Sequence, residues 1–306
     1  MKTSSGYWTG VIMVIIAAAC YGMMSPVLKL AYKQEYTFQQ ITVHQVGLGA
    51  ALLWILILLR PGTWSKLAFS FKHWGALAFT GIFGLSMTTV FYNQTLEKLD
   101  ASFSIVLLFQ FMWITIFLES LRNRKWPTRW QWAAIVISMA GTVLAAGLLQ
   151  NKLMDMDWAG VGFGLASALS YSLFLFLAGR VAPGYDPVYK SAIMMSCGFI
   201  VILALYGYKA FEGGQDQQWG LLGWGFALGL IGQVMPTVFF NAGIPRVGSG
   251  LASMLGAMEL PFAVVSAWLI LGESISLSDI IGIVLILGGV VLAEYGSRRR
   301  QQTVQT

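Results

Sequence analysis

Glu259 stands ten residues into an apolar stretch that runs from Ser249 to Gly272, with Pro261 two positions after it. If that stretch is a spanning helix, ~1.5 Å of rise per residue puts the carboxyl group ~15 Å deep, near the middle of a ~30 Å hydrocarbon layer. An acid is costly there, and three kinds of chemistry would keep it: carrying a proton, meeting a substrate amine, or hydrogen-bonding a neighbouring helix across a proline distortion. On a helix it shares a face with Ala252, Leu255, Gly256, Phe262, Ala263 and Ser266. That small-residue surface admits a close backbone or borders water.

Other polar side chains fall inside apolar stretches. Tyr21, Ser25 and Lys29 recur every four residues beside Pro26, which removes a backbone donor and bends a helix. Tyr21 and Ser25 are candidate substrate contacts, while Lys29 has a simpler reading as a snorkelling cation at an interface. Gln110 and Gln233, the latter near Pro236, are deep amides that need partners, either a substrate or another helix. Trp113, Phe109, Tyr92 and Phe240 are candidates for an aromatic pocket, or plain packing. Asn93 and Asn241 are candidate gate residues, with helix-end hydrogen bonding as the alternative. His44 and Gln45 read as peripheral, and His73 as an interface residue.

The composition decides where any of this happens. Of the 306 residues, 57% are hydrophobic and 10% charged, with a mean hydropathy of +0.70, against about 25% charged in soluble domains. An all-α polytopic membrane protein follows, with no room for a soluble catalytic domain. The net charge of +6 sits at the ends of apolar stretches rather than in a patch with interleaved aromatics, which argues against nucleic acid as a partner. Cys20 and Cys197 lie in apolar stretches without CxxC or CxxH spacing, so neither a disulfide framework nor a metal site is indicated, and no cofactor is expected. HExxH, GxSxG and a Walker loop are all missing, which counts against an intramembrane protease, a lipid transferase and direct ATP drive. The first apolar run continues through Tyr21 to Leu30, too long for a cleaved signal peptide.

Apolar runs of spanning length predict ten helices: Trp8–Ala31, Gln39–Leu59, His73–Leu96, Ala101–Leu121, Trp130–Leu149, Trp158–Gly179, Val188–Lys209, Trp219–Gly243, Ser249–Leu271 and Ser278–Tyr295. Lys2, Arg60, Lys66, Lys72, Arg122, Arg124, Lys125, Arg129, Arg180, Lys190, Arg246 and Arg298 to Arg300 would lie on one side, against Lys33, Lys98, Lys152 and Lys209 on the other. The positive-inside rule then places both termini in the cytoplasm of a plasma-membrane protein, with residues 297–306 as a basic tail on the anionic inner surface.

The chain also repeats itself. At an offset of 148, Met87, Thr89, Val90, Phe91 and Asn93 meet Met235, Thr237, Val238, Phe239 and Asn241, and Gly141 meets Gly289; at 150, Trp8, Gly10, Ala18 and Tyr21 meet Trp158, Gly160, Ala168 and Tyr171. Two five-helix repeats, 1–150 and 157–296, are expected, and an odd number of spans per repeat inverts the second relative to the first. Inverted repeats are the architecture of many secondary transporters. Gly160-x-x-x-Gly164 and Gly225-x-x-x-Gly229 are spacings for close helix crossings.

The segment Glu259-Leu260-Pro261-Phe262-Ala263, leading to Leu271-Gly272-Glu273 and then Gly282 to Gly289, resembles the end of the second repeat in EamA-type members of the drug/metabolite transporter superfamily. The first repeat has Phe111-Met112-Trp113 and Arg124-Lys125 where the second has its acid-proline pair and Gly-Glu, which leaves a symmetric use of two acids in doubt. The resemblance implies ten spans, a central cavity lined by the first, third, fourth, sixth, eighth and ninth helices, and export of amino acids or other small metabolites by alternating access. Substrate, membrane lipid and protons are the expected partners. A polytopic membrane enzyme and a non-transporting receptor or assembly subunit are the competing functions.

Overall fold

A computed structural model describes residues 4–59, 71–99, 101–145, 157–210, 212, 215–272 and 275–303; Lys2, Arg60, Lys66, Lys152 and Glu273 lie outside them, as do the side chains of Arg298 to Arg300. The described residues form helices joined by short turns, with no strand among them. In order they form α1 (Ser4–Tyr32), α2 (Phe38–Leu58), α3 (Phe71–Phe79), α4 (Met87–Lys98), α5 (Ala101–Leu108), α6 (Phe111–Asn123) and α7 (Arg129–Ala145). Then come α8 (Trp158–Ala178), α9 (Pro187–Ala210), α10 (Gln215–Gly229), α11 (Met235–Val247), α12 (Ser249–Gly256), α13 (Glu259–Leu271) and α14 (Leu277–Thr303).

Eight helical stretches are long and apolar enough to cross a membrane. α3 with α4, α5 with α6, α10 with α11, and α12 with α13 each make one such stretch. The expected fifth span is helical to Ala145, beyond which it leaves the described residues, and the apolar part of the expected tenth, Leu277–Ala293, is shorter than the rest. Outward faces carry exposed Ile200, Leu205, Leu269 and Val284, a surface suited to lipid rather than water.

The interruptions recur in both halves of the chain. π-helical turns at Thr80–Ser86 and Leu230–Val234 separate α3 from α4 and α10 from α11. α5 and α6 part at Phe109 and Gln110, α12 and α13 at Ala257 and Met258, 148 residues on. Pro261 stands just past the second break, yet its counterpart Trp113 follows an equivalent break, so proline is not what causes it. Tight turns bridge both gaps: Met112 N–H donates to Phe109 O at 3.2 Å, and Leu260 N–H to Ala257 O at 3.3 Å. Irregular backbone of this kind is tolerated at membrane depth only where protein or a cavity covers it.

Packing follows the same exchange. α1 lies on α11 and α13, α8 on α4 and α6, α2 on α9, and α7 on α14. A methyl group on Gly10 would lie 2.9 Å from Val247 Cγ1, and one on Gly160 would lie 2.7 Å from Leu99 Cγ. At the α7–α14 seam, a methyl on Gly141 would sit 2.7 Å from the Gly282 carbonyl oxygen, and one on Gly289 3.0 Å from that of Ala134. Ala134 and Gly282 are themselves equivalent, so the seam is one contact made twice.

Helix ends fix the two faces. Gly10 near the start of α1 meets the end of α11, and Arg180, just past α8, meets Ser249 at the start of α12. These ends share a face with Lys72, Arg122, Arg124, Lys125 and Arg129, here called the basic face. On the opposite face Asp157 caps α8 through the Ala159 and Gly160 amides and pairs with Lys98 at 3.0 Å. The Lys98 ammonium, then the Gly160 amide, hold the Asp157 carboxyl below the usual carboxylate range, so the cap stays ionised at neutral pH. Lys190 differs from its expected role as a loop charge: it is buried and donates to the Ala178 carbonyl at 2.8 Å, satisfying the C-terminus of α8.

Because a side chain at Gly141 or Gly289 must push backbone aside, Gly141→Leu and Gly289→Leu should each lower stability by about 1–3 kcal/mol. Thermal unfolding in detergent should show both shifts. Gly288→Leu, where nothing lies within 4 Å, should leave the midpoint in place.

Candidate functional site

Where the interruptions converge the helices line a small, half-open cavity of about 50 Å3. α1 contributes Tyr21, Met24 and Ser25; the π turn before α4 and α4 itself contribute Leu85, Thr88, Thr89, Tyr92 and Asn93. Leu108, Tyr171, Gly232, Gln233 and Glu259 complete the wall. Both halves therefore build it, and Glu259 is the one acid in the lining, with no Lys or Arg beside it.

Glu259 begins α13, immediately after the break, rather than riding the middle of one continuous helix as the sequence predicts. The break changes which residues flank it along the chain but leaves the carboxyl group at the cavity, without an ion-pair or hydrogen-bond partner among the described residues. α1 crosses it closely: a methyl group on Gly22 would run into the Glu259 carbonyl oxygen and lie 2.8 Å from the Ala263 nitrogen. The Ser266 hydroxyl donates to the Gly22 carbonyl at 3.3 Å, tying α13 to α1 at the same level.

Beside the carboxyl, Tyr21 and Tyr171 meet edge to face at 5.9 Å between ring centroids. These are the equivalent tyrosines of the two halves. Tyr171 also packs on Phe111 at 4.6 Å, Phe174 and Phe240, and Phe111, Phe174 and Phe240 are fully buried. The Tyr171 hydroxyl and Asn93 Oδ1 are buried without a hydrogen-bond partner among the described residues. Such groups are costly unless something polar meets them.

Of the residues singled out in the sequence, Glu259, Tyr21, Ser25, Gln233 and Asn93 come together here. Gln110 and Trp113 do not. Gln110 donates to the Val106 carbonyl at 3.0 Å and accepts from the Trp113 indole at 2.8 Å, and Trp113 is exposed on the outside of the bundle. In the expected aromatic pocket only Tyr92 lines the cavity, while Phe109 and Phe240 are packed solid. Lys29 is exposed.

Asn93 and Asn241 behave as a pair. Asn93 Nδ2 donates to the Thr42 hydroxyl at 2.7 Å, and Asn241 Nδ2 to the Ser191 hydroxyl at 3.0 Å, each tying one half's third span to its second. His44 and Gln45 are buried, contrary to their peripheral reading: His44 Nδ1 bonds the Gln40 carbonyl at 2.8 Å, and Gln45 donates to the Met24 sulfur at 3.5 Å, behind the cavity wall. Sequence reasoning missed Met24, Thr88, Thr89 and Tyr171 as lining. Only Tyr171 carried a signal, its equivalence to Tyr21.

A helical multi-span protein with a largely apolar cavity, carrying one acid, between two similarly built halves belongs to the class of multi-pass membrane proteins. The chain is a member of the EamA-like transporter family, whose pattern matches residues 8–147 and again 158–295. It is 26% identical to the uncharacterized inner membrane transporter YicL of Salmonella typhimurium, over 95% of this chain and 97% of that one. The uncharacterized transporter YcbK of Bacillus subtilis is 23% identical over 95% and 93%, and an uncharacterized transporter of Synechocystis, sll1319, 22% over 94% and 93%. A solved crystal structure shares the fold, with a TM-score of 0.76 at 15% identity, over 93% of this chain and 98% of that one.

Asn241→Ala removes the bond from its amide to the Ser191 hydroxyl, which keeps its own bond to the Pro187 carbonyl, and should cost about 0.5–1.5 kcal/mol of stability. The drop should appear in thermal unfolding of the purified protein. Since Asn241 is not part of the lining, the affinity of any cavity ligand should stay within twofold or so of the unaltered protein.

Proposed function

We propose that the protein is a secondary transporter that moves amino acids or similar amine-bearing metabolites by alternating access, with Glu259 as the group that meets the substrate amine or a coupled proton. The observation that carries this reading is the position of Glu259, an unpaired carboxyl at a cavity built by both halves. Around it stand hydrogen-bonding groups of Tyr21, Ser25, Thr88, Thr89, Asn93, Tyr171 and Gln233 but no cation. A substrate bearing an ammonium suits such a wall, and a dianion does not. An aspartyl-type enzyme needs a second acid beside the first, and the lining offers Glu259 alone.

The mechanism draws on the repeated construction. We read 1–150 and 157–296 as inverted five-span repeats, ten spans in all, with 297–306 as a tail. The exchange of contacts between halves, the doubled helix breaks and the meeting of Tyr21 with Tyr171 support this reading. So does the placement of the start of α1 on the face where α8 ends. The Lys and Arg excess on that face supports a cytoplasmic assignment for both termini, with transport out of the cell as the expected direction.

Counterflow in proteoliposomes with a panel of radiolabelled amino acids and small amines tests the reading. At least one amine-bearing compound should exchange, and Glu259→Gln should slow its initial rate about tenfold or more, the loss expected for one charge-assisted contact. Exchange confined to anions, or full exchange by Glu259→Gln, would count against it.

A further inference from the structure

The cavity does not reach the basic face. Its lining residues lie past the middle of α1, on the first two turns of α4 and at the start of α13, and below them Phe111, Phe174 and Phe240 pack around Tyr171. Below that layer the helices α6, α8 and α12 are joined at their ends by polar groups. Arg180 Nη1 donates to the Ser249 hydroxyl at 2.9 Å, and that hydroxyl donates to Glu119 Oε2 at 3.2 Å. Arg180 Nη2 lies 3.8 Å from Glu119 Oε1.

Three features suit this cluster to opening and closing. It crosses between the halves, since Glu119 belongs to the first and Arg180 and Ser249 to the second. Its charged side chains keep a quarter of their surface exposed, 26% and 27%, and approach only to 3.8 Å, so water can reach the pair and it is weak enough to part. It is also seated on purpose-fitted backbone: Gly248 has φ +91°, and a methyl group on Gly250 would lie 2.5 Å from Glu119 Oε2, so the carboxylate occupies the space of a missing side chain at the start of α12. Arg180 also bonds the Phe176 carbonyl and lies over the Phe176 ring at 4.1 Å, which holds the guanidinium in place when its partner leaves.

The trio is not repeated, and the opposite face is bridged instead by the Lys98–Asp157 ion pair. At the repeat offsets Glu119 corresponds to Ala267, Arg180 to Leu30 and Ser249 to Ala101, so no equivalent trio stands at the other face. We propose that Glu119, Arg180 and Ser249 form a latch that holds the transporter shut toward the basic face, and that this contact parts whenever the cavity opens there. The inference rests on the alternating-access reading above and adds the residues that guard one of the two openings.

Thiol labelling tests it without knowledge of the substrate. Cys20→Ala and Cys197→Ala remove the native thiols, and Ser253→Cys places a probe one turn above Ser249, at a fully buried position facing Met112. In lipid nanodiscs, Glu119→Gln or Arg180→Gln should speed labelling by a charged methanethiosulfonate about fivefold or more, a modest population shift. The exchanged pair Glu119→Arg with Arg180→Glu should slow it again, and Ser249→Ala, which keeps both charges, should give a smaller increase. Unchanged labelling in the single variants, or in Ser249→Ala if those do not fold, would overturn the latch. Amino acid counterflow by the unaltered protein is read separately: its absence sinks the transporter reading, whereas flat labelling with intact counterflow sinks the latch alone.

Discussion

A carboxyl group cannot be left against hydrocarbon, and much of this molecule is arranged around giving Glu259 something else to face. The break before α13 frees it from a continuous helix, and the π turns at Thr80–Ser86 and Leu230–Val234 widen the space opposite. A glycine at position 22 lets α1 cross beside it without a side chain in the way. The break and the π turns cost regular hydrogen bonding, and each borders the cavity on one side. The apolar exterior turns large side chains outward, Phe83 on the first π turn among them.

Duplication explains how so much irregular backbone arises in register. The doubled breaks, the exchanged glycine contacts and the paired asparagines show one set of packing solutions used twice. What departs from the pattern is chemical rather than architectural. Phe111 stands where the second half has Glu259, and it packs on Tyr171 while Glu259 lines the cavity near Tyr21. Alanines and leucine stand where the other face has Glu119, Arg180 and Ser249. A symmetric frame thus carries one deep acid and a different cross-half ion pair at each face, Glu119 with Arg180 on one and Lys98 with Asp157 on the other, and a transporter needs such differences to tell its two sides apart.

Much of this was legible in the sequence because it depends on periodicity and length. Eight of the ten expected spans and the offset of 148 need only counting. The site was legible in part, for residues whose direction follows from a regular helix, such as Tyr21 and Ser25. Gln110 was misread for a physical reason: a turn at Phe109 and Gln110 rotates the helix so that Phe111 points inward and the amide bonds back to Val106. No apolar pattern announces such a turn, since Pro261 has no counterpart in the first half. Gln45 was misread because an amide near a helix start looks peripheral until α10 and the Leu230–Val234 turn are seen to pack across it. Asn93 and Asn241 were found as equivalents, but their hydroxyl partners Thr42 and Ser191 emerge only once helices are placed side by side.

The central claim, that two similar halves open the Glu259 cavity to one face at a time, is tested most directly by paired spin-label distances in nanodiscs. One pair, Asn123→Cys with Pro183→Cys, spans α6 and the end of α8 on the basic face; another, Glu97→Cys with Ala159→Cys, spans α4 and the start of α8 on the opposite face. With the latch broken by Arg180→Gln, the account predicts that the first distance lengthens while the second shortens in the same population. Lengthening at both faces together, or movement at one with none at the other, would contradict it.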